Sequence, residues 1–193
     1  MLKEKLQHKR IILASGSPRR QQFLREMDID FIIQIKEVEE IYPKELEASA
    51  ITKFLAELKA NTFDSLEEND LLITSDTIVW HENKALGKPK DAKDAFQMLQ
   101  SLSGKTHEVI TSVCFKTKNT LETLTETTKV TFNSLTDEAI HYYISNYEPF
   151  DKAGSYGIQE WIGLIGISKI EGSYTNVVGL PVEKVYQKLC QYV

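Results

Sequence analysis

A chain of 193 residues, 41% of them hydrophobic, has enough material for one domain of two lobes or two small domains, and wholesale disorder is excluded. A formal net charge of −5 argues against a protein that coats nucleic acid nonspecifically, which runs on a basic surface, but leaves room for a local basic pocket around a small anion. The two cysteines, Cys114 and Cys190, lie far apart with no C-x-x-C, so neither a disulfide framework nor a zinc site is expected, and both thiols read as buried or half-buried.

The stretch from Met1 to Arg10 alternates charge and carries no apolar h-region, so no signal peptide is expected there. No apolar run approaches the roughly 20 residues of a membrane span, and a reduced cytoplasmic compartment is the default expectation. Ile11 to Ala14 predicts a short buried strand that ends at Ser15-Gly16-Ser17. Ser17 as N-cap and Pro18 at the first helical position then predict a helix with Phe23, Leu24 and Met27 inward. Phe31 to Ile35 reads as a second strand, followed by the acidic run Glu37 to Glu40. Ile51, Phe54, Leu55 and Leu58 repeat at helical spacing within a predicted helix over 45–60, with Lys59 at the edge of its buried face.

Asn61 to Asp70 is polar and reads as an exposed loop. Leu71 to Trp80 is the strongest strand, with a short hairpin expected at Asn83-Lys84, and Asp91 caps a helix that Gly104 stops. Thr106 to Lys118 and Leu121 to Phe132 alternate and are β-rich, which predicts an antiparallel hairpin turned at Asn119-Thr120. A helix over 136–147 follows, then a glycine-rich segment with strand-like pieces at Ile162 to Ile170 and Tyr174 to Val178. A last helix begins at Pro181. Helices and strands interspersed, with long antiparallel strands in the middle, indicate an α/β or α+β mixed sheet.

Chemistry concentrates in a few places. In Ser15 to Arg20, a strand-to-helix turn of small residues lets backbone N–H groups approach an anion, and two arginines can grip phosphate bidentately. The same residues are also compatible with an ordinary capped helix bearing solvated arginines. Asp76 sits among apolar neighbours in a strand, where an unpartnered carboxylate is costly, so a metal, a lysine or a set of hydrogen bonds must meet it. Glu39-Glu40 is either an exposed acidic turn or a partner of Asp76 around Mg²⁺. Lys59 is either a phosphate neutraliser or a snorkelling lysine, and Lys88 sits in a stiff Leu86-Gly87-Lys88-Pro89 turn. Gln159, at the tip of the glycine-hinged Asp151 to Gln159 loop, can donate and accept as base recognition requires. His8, His81, His107 and His141 show no metal-ligand spacing and read as structural or exposed.

In order along the chain, Leu13 to Arg20 (L-A-S-G-S-P-R-R), Glu39-Glu40, Leu55 to Ala60, Ser75 to Val79 (S-D-T-I-V), Leu86 to Pro89, Leu102 to Val109, Asp151 to Gln159 (D-K-A-G-S-Y-G-I-Q) and Gly172 to Pro181 resemble the motifs of the Maf family, once described as septum-formation inhibitors. The resemblance implies an elongated mixed sheet flanked by helices, in a single domain over 1–193 of two lobes with a central cleft, similar to the inosine triphosphate pyrophosphatases. It implies hydrolysis of a nucleoside triphosphate, dTTP or UTP in this branch, to the monophosphate and pyrophosphate with a divalent cation, Mg or Mn. By matching positions, Asp76 is the expected proton acceptor, and Arg19, Thr77 and Gln159 carry selectivity. Ser15, Arg20, Lys59 and Lys88 would hold phosphate, and Asp76 with Glu40 the metal. Where many relatives continue with glycine after Gln159, this chain has Glu160-Trp161, a bulky pair expected to reshape the base or sugar pocket. The family also implies a homodimer, and neither a membrane nor a nucleic-acid partner is expected. A nucleotide-sensing or nucleic-acid-binding regulator of cell division without turnover, and a γ-phosphatase, are the competing readings.

Overall fold

A computed structural model describes residues 1–193. In chain order the elements are α1 (Leu2–Lys5), β1 (Arg10–Leu13), α2 (Pro18–Glu26), β2 (Ile32–Ile33), α3 (Ser49–Asn61), β3 (Asp70–His81) and β4 (Lys84–Leu86). Then come α4 (Ala92–Leu102), β5 (Thr106–Lys116), β6 (Leu121–Phe132), α5 (Asp137–Tyr147), α6 (Trp161–Gly166), β7 (Ile167–Glu171), α7 (Tyr174–Val178) and α8 (Val182–Leu189). The seven strands form one mixed sheet in the order β2-β1-β3-β5-β6-β7, with β4 paired to β3. This is the mixed α/β class that the interleaved sequence pattern predicts.

Strand β1 is buried at Ile11, Ile12 and Leu13, as expected of a strand with parallel neighbours on both sides. It pairs with β2 at Ile12↔Ile32 and with β3 at Leu13↔Ile73. The β3–β4 hairpin turns through Glu82 and Asn83, both at positive φ (48° and 59°), the geometry of a two-residue turn that follows the strand twist. At the far edge β7 pairs antiparallel with β6, with a register shift at Thr131/Phe132.

The chain forms two compact units. The first contains Met1–Asp76, Thr111–Glu126 and Gly179–Val193; the second contains Thr77–Ile110 and Thr127–Val178. Strands β3, β5 and β6 contribute residues to both. In the first unit, Leu13, Leu24, Leu71, Ile73, Val113, Phe115, Leu180, Val185 and Leu189 belong to one buried cluster, and Ile12, Ala56, Ala60, Phe63, Leu72 and Cys114 to a second. In the second unit, Leu99, Leu102, Val109, Phe132, Ile140, Tyr143, Tyr156, Ile158 and Ile162 form the core. No helix is long and apolar enough to cross a membrane.

Several sequence expectations shift. The strand expected over Phe31 to Ile35 shrinks to Ile32–Ile33, at the sheet edge, where both side chains are exposed. Within the expected exposed loop, Phe63 and Leu66 are buried. The strand expected from Ile162 begins only at Ile167; Trp161–Gly166 is helical, and so is Tyr174–Val178. Cys114 is buried as expected, but Cys190 is exposed.

Candidate functional site

The loop Ser15–Ser17 leaves the carboxyl end of β1, and the Ser17 hydroxyl accepts from the Arg20 backbone N–H as the N-cap of α2, with Pro18 next. Ser15 is buried, and its hydroxyl accepts from the Ser17 N–H at 3.2 Å and from Arg20 Nη1 at 3.4 Å. Arg20 also reaches two backbone carbonyls: Nε donates to Gly179 O at 2.9 Å and Nη1 to Ser75 O at 3.1 Å. Gly179 has a φ of 124°, a conformation nearly reserved for glycine, and this presents its carbonyl. Burial pulls the Arg20 guanidinium below its usual pKa, while Asp76 and Glu40 act the other way. Arg19, beside it, is half-buried.

Ser75 precedes Asp76, just beyond the last residue of β3 paired with β1, at the carboxyl end of the parallel strands where α/β sheets gather ligands. The Asp76 side chain is only 8% exposed, and the partner its sequence environment demands is a lysine: Lys59 Nζ lies 2.7 Å from Oδ1. The same ammonium, at the end of a side chain 16% exposed, lies 3.0 Å from Glu40 Oε1, which reaches in from the exposed acidic run. Lys59 is therefore more than a snorkelling residue, and Glu40 more than a free acidic turn. Ser15, Arg20, Lys59, Asp76 and Glu40 thus gather in the first unit.

The other expected residues lie in the second unit. Thr77 follows Asp76 on β3 and is half-buried, whereas Lys88 and Gln159 are exposed. The turn bearing Lys88 is tied to the Asp151–Gln159 segment through the backbone, where Gly154 N–H donates to Gly87 O at 3.0 Å. Around Gln159 the neighbours are held. The Tyr156 hydroxyl is 2.7 Å from His107 Nε2, the Gly157 N–H donates to the Tyr143 hydroxyl at 2.9 Å, and Ile158 is buried. Glu160 turns inward onto Tyr143 and Lys152, and Trp161 packs against Tyr142 with ring centroids 4.8 Å apart.

Three supports escaped the sequence. Gln21, whose side-chain amide donates to Ser15 O at 3.2 Å, had only its place on the first turn of α2 as a signal. Gly179 lay in the G-L-P motif with no stated role. Tyr143 lies within the helix predicted over 136–147, and its hydroxyl, like that of any buried tyrosine, needs a partner. Of the histidines, His107 and His81 are buried, while His8 and His141 are exposed. No group of three or more His, Cys, Asp or Glu side chains converges as a metal cage. The Asp76 and Glu40 oxygens that converge on one cationic nitrogen are nonetheless hard donors, and such a pair suits a cation that completes its shell with phosphate oxygens and water.

Comparison with known proteins bears out the family resemblance. A protein 66% identical over 194 aligned residues, covering 100% of both chains, is the dTTP/UTP pyrophosphatase of Flavobacterium johnsoniae. Another, 64% identical and covering 100% of this chain and 99% of the relative, is the dTTP/UTP pyrophosphatase of Flavobacterium psychrophilum. Among solved structures, a HAM1 protein from Coxiella burnetii matches with a TM-score of 0.51 at 15% identity, over 95% of this chain and 99% of that one, a likeness of fold alone. The family model described as Maf-like protein matches residues 10–192, and the chain belongs to the Maf family.

Proposed function

We propose that this chain is a nucleoside triphosphate pyrophosphatase that hydrolyses dTTP and UTP to the nucleoside monophosphate and pyrophosphate. The carrying observation is the cluster in the first unit, in which the buried Asp76 carboxylate lies 2.7 Å from Lys59 Nζ and Arg20 binds the carbonyl of the preceding residue. The relatives' shared name supports the substrate.

In this reading a water oxygen bonds to the α-phosphorus, the bond from that phosphorus to the α–β bridging oxygen breaks so that pyrophosphate leaves with that oxygen, and Asp76 accepts the water's proton. Arg19, Arg20, Lys59 and Lys88 counter the charge that builds on the phosphate oxygens. Ser15 and the backbone at the start of α2 orient the phosphate chain, and Thr77 and Gln159 select the base. Asp76 and Glu40 would hold Mg²⁺ or Mn²⁺, which when bound supplies charge neutralisation and makes a water more acidic.

A panel of common and modified triphosphates assayed for pyrophosphate release tests the proposal. Release from dTTP and UTP above the purine triphosphates is expected. Inorganic phosphate with nucleoside diphosphate would instead identify a γ-phosphatase, and binding without product would identify a sensor. A homodimer and a cytoplasmic location belong to the same proposal. Exposed apolar side chains such as Leu164 and Ile165 support the first and two unpaired cysteines support the second. Sedimentation of the purified chain reads the oligomeric state.

A further inference from the structure

Gln159 is an exposed side chain on a segment otherwise anchored in the second unit. The anchoring is ionic at its centre. The Lys152 side chain is 10% exposed, a burial that a lone ammonium would not tolerate, and it sits between Asp151 Oδ1 at 2.7 Å and Glu160 Oε1 at 3.0 Å. The second Glu160 oxygen accepts from the hydroxyl of Tyr143, a fully buried residue of α5, and that hydroxyl accepts from the Gly157 N–H at 2.9 Å. One carboxylate, 20% exposed, thus links Lys152 on one side of Gln159 to Tyr143, and through it to Gly157.

Steric contacts close the same frame. A Cβ on Gly157 would lie 2.8 Å from Glu160 Cδ and 3.0 Å from Gln159 Nε2, so this carboxylate lies against bare backbone. A Cβ on Gly163 would lie 1.9 Å from Ile158 O, so α6 packs directly on the Ile158 peptide. The turn itself is closed by Glu160 N–H donating to Gly157 O at 3.0 Å. Gln159 therefore sits between two fixed neighbours, one held through Tyr143 and the other through Lys152. Glu160, expected together with Trp161 to reshape the base or sugar pocket, directs its carboxylate onto Lys152 and Tyr143.

We propose that Glu160, acting with Lys152 and Tyr143, is a positioning residue that presets the Gln159 amide for the pyrimidine edge. Its absence would leave Gln159 on a loop that must be ordered anew for each substrate, a cost that falls on recognition rather than on the phosphate chemistry. The proposal rests on Gln159 reading the base.

The test uses the full chain with Glu160→Gln, which keeps the shape and removes the charge, and Tyr143→Phe, which keeps the ring and removes the shared hydroxyl. Gln159→Ala and the double variant Gln159→Ala/Glu160→Gln run alongside. Each is assayed for kcat and KM on dTTP, UTP, CTP and GTP, with thermal melting to confirm folding. Both single positioning variants are expected to raise KM for dTTP and UTP and lower their preference over GTP roughly three- to tenfold, with kcat nearly kept. The double variant should lose no more preference than Gln159→Ala, because a positioning residue acts only through the residue it positions. If Gln159→Ala loses preference while Glu160→Gln and Tyr143→Phe keep it, the positioning role is overturned and base reading by Gln159 stands. If Gln159→Ala keeps its preference, base reading falls and positioning falls with it. A uniform loss of kcat on all four nucleotides, or additive losses in the double variant, would also overturn the proposal.

Discussion

Arg20 is the residue whose structural and chemical roles are hardest to separate. A guanidinium beside a triphosphate site is expected to give its fork to phosphate, yet Arg20 directs Nε to Gly179 O and Nη1 to Ser75 O and Ser15 Oγ. Its charge is thereby fixed near Asp76 by groups from three separate stretches of chain. Arg20→Lys keeps a charge but cannot reproduce the fork, so buried carbonyls lose their donor. The expected outcome is a stability loss of about 1–3 kcal/mol and a lower kcat/KM, read by denaturant unfolding and steady-state kinetics. A variant as stable as the parent would make Arg20 a phosphate ligand alone. Asp76 behaves differently, since its partner is one lysine 17 residues away in sequence. Asp76→Asn removes the proton acceptor and one proposed metal oxygen, and kcat should fall about 100- to 10 000-fold while the fold persists. Full turnover at saturating Mg²⁺ would remove Asp76 from the chemistry. The need for a partner at Asp76 was legible in the sequence, because a carboxylate in an apolar strand must be met. That the partner is Lys59 was not, since only the pairing of α3 with β3 in space decides it.

Elements were legible where their boundary chemistry is local. Ser17, Asp91 and Thr136 each cap the predicted helix through a side-chain oxygen, and the starts of α2, α4 and α5 follow from them. Errors fall where short apolar runs sit among glycines, because periodicity cannot separate a buried strand from a helical turn over so few residues. Ile162 to Gly166 reads as strand, but Gly163 lets the backbone close onto Ile158 and Ile162 enters the core, and both favour a helix. Tyr174–Val178 is helical through tertiary contacts: the buried Asn176 amide donates to Val109 O at 3.0 Å and to Thr128 Oγ1 at 2.9 Å. These contacts make a prediction for α6. Gly163→Ala drives a methyl into a peptide carbonyl and should cost about 1–3 kcal/mol or more, whereas Thr136→Ala removes one cap and should cost about 1 kcal/mol. Urea unfolding of the two variants compares them directly, and a smaller loss for Gly163→Ala would contradict the close packing of α6.

At the scale of the whole molecule, the two units carry different acid-sensitive groups. In the first unit, hydrogen bonds from Arg10 at 2.6 Å hold the Asp70 carboxyl below the usual range. The stability Asp70 contributes is present above its unfolded value of 3.8 and is lost only as pH falls below that. In the second unit, His107 lies in the core against Phe132 and Tyr156, and burial, with His81 nearby, pushes its pKa from 6.5 down to about 3. The folded chain therefore keeps His107 neutral between those values while the unfolded chain takes up a proton. Where the unfolded state binds more protons, stability rises with pH, so the His107 contribution is complete above 6.5 and drains away as pH falls toward 3. The slope approaches about 1.4 kcal/mol per pH unit, or about 2 kcal/mol lost by about pH 5. Mild acid should therefore weaken the protein through His107 before Asp70 is touched. Melting curves from about pH 7.5 to 5 on the parent and on His107→Gln, which keeps a polar group for the Tyr156 hydroxyl, isolate the effect. The parent's Tm should fall across this range while that of the variant stays flatter. Parallel curves would assign the acid response to other groups.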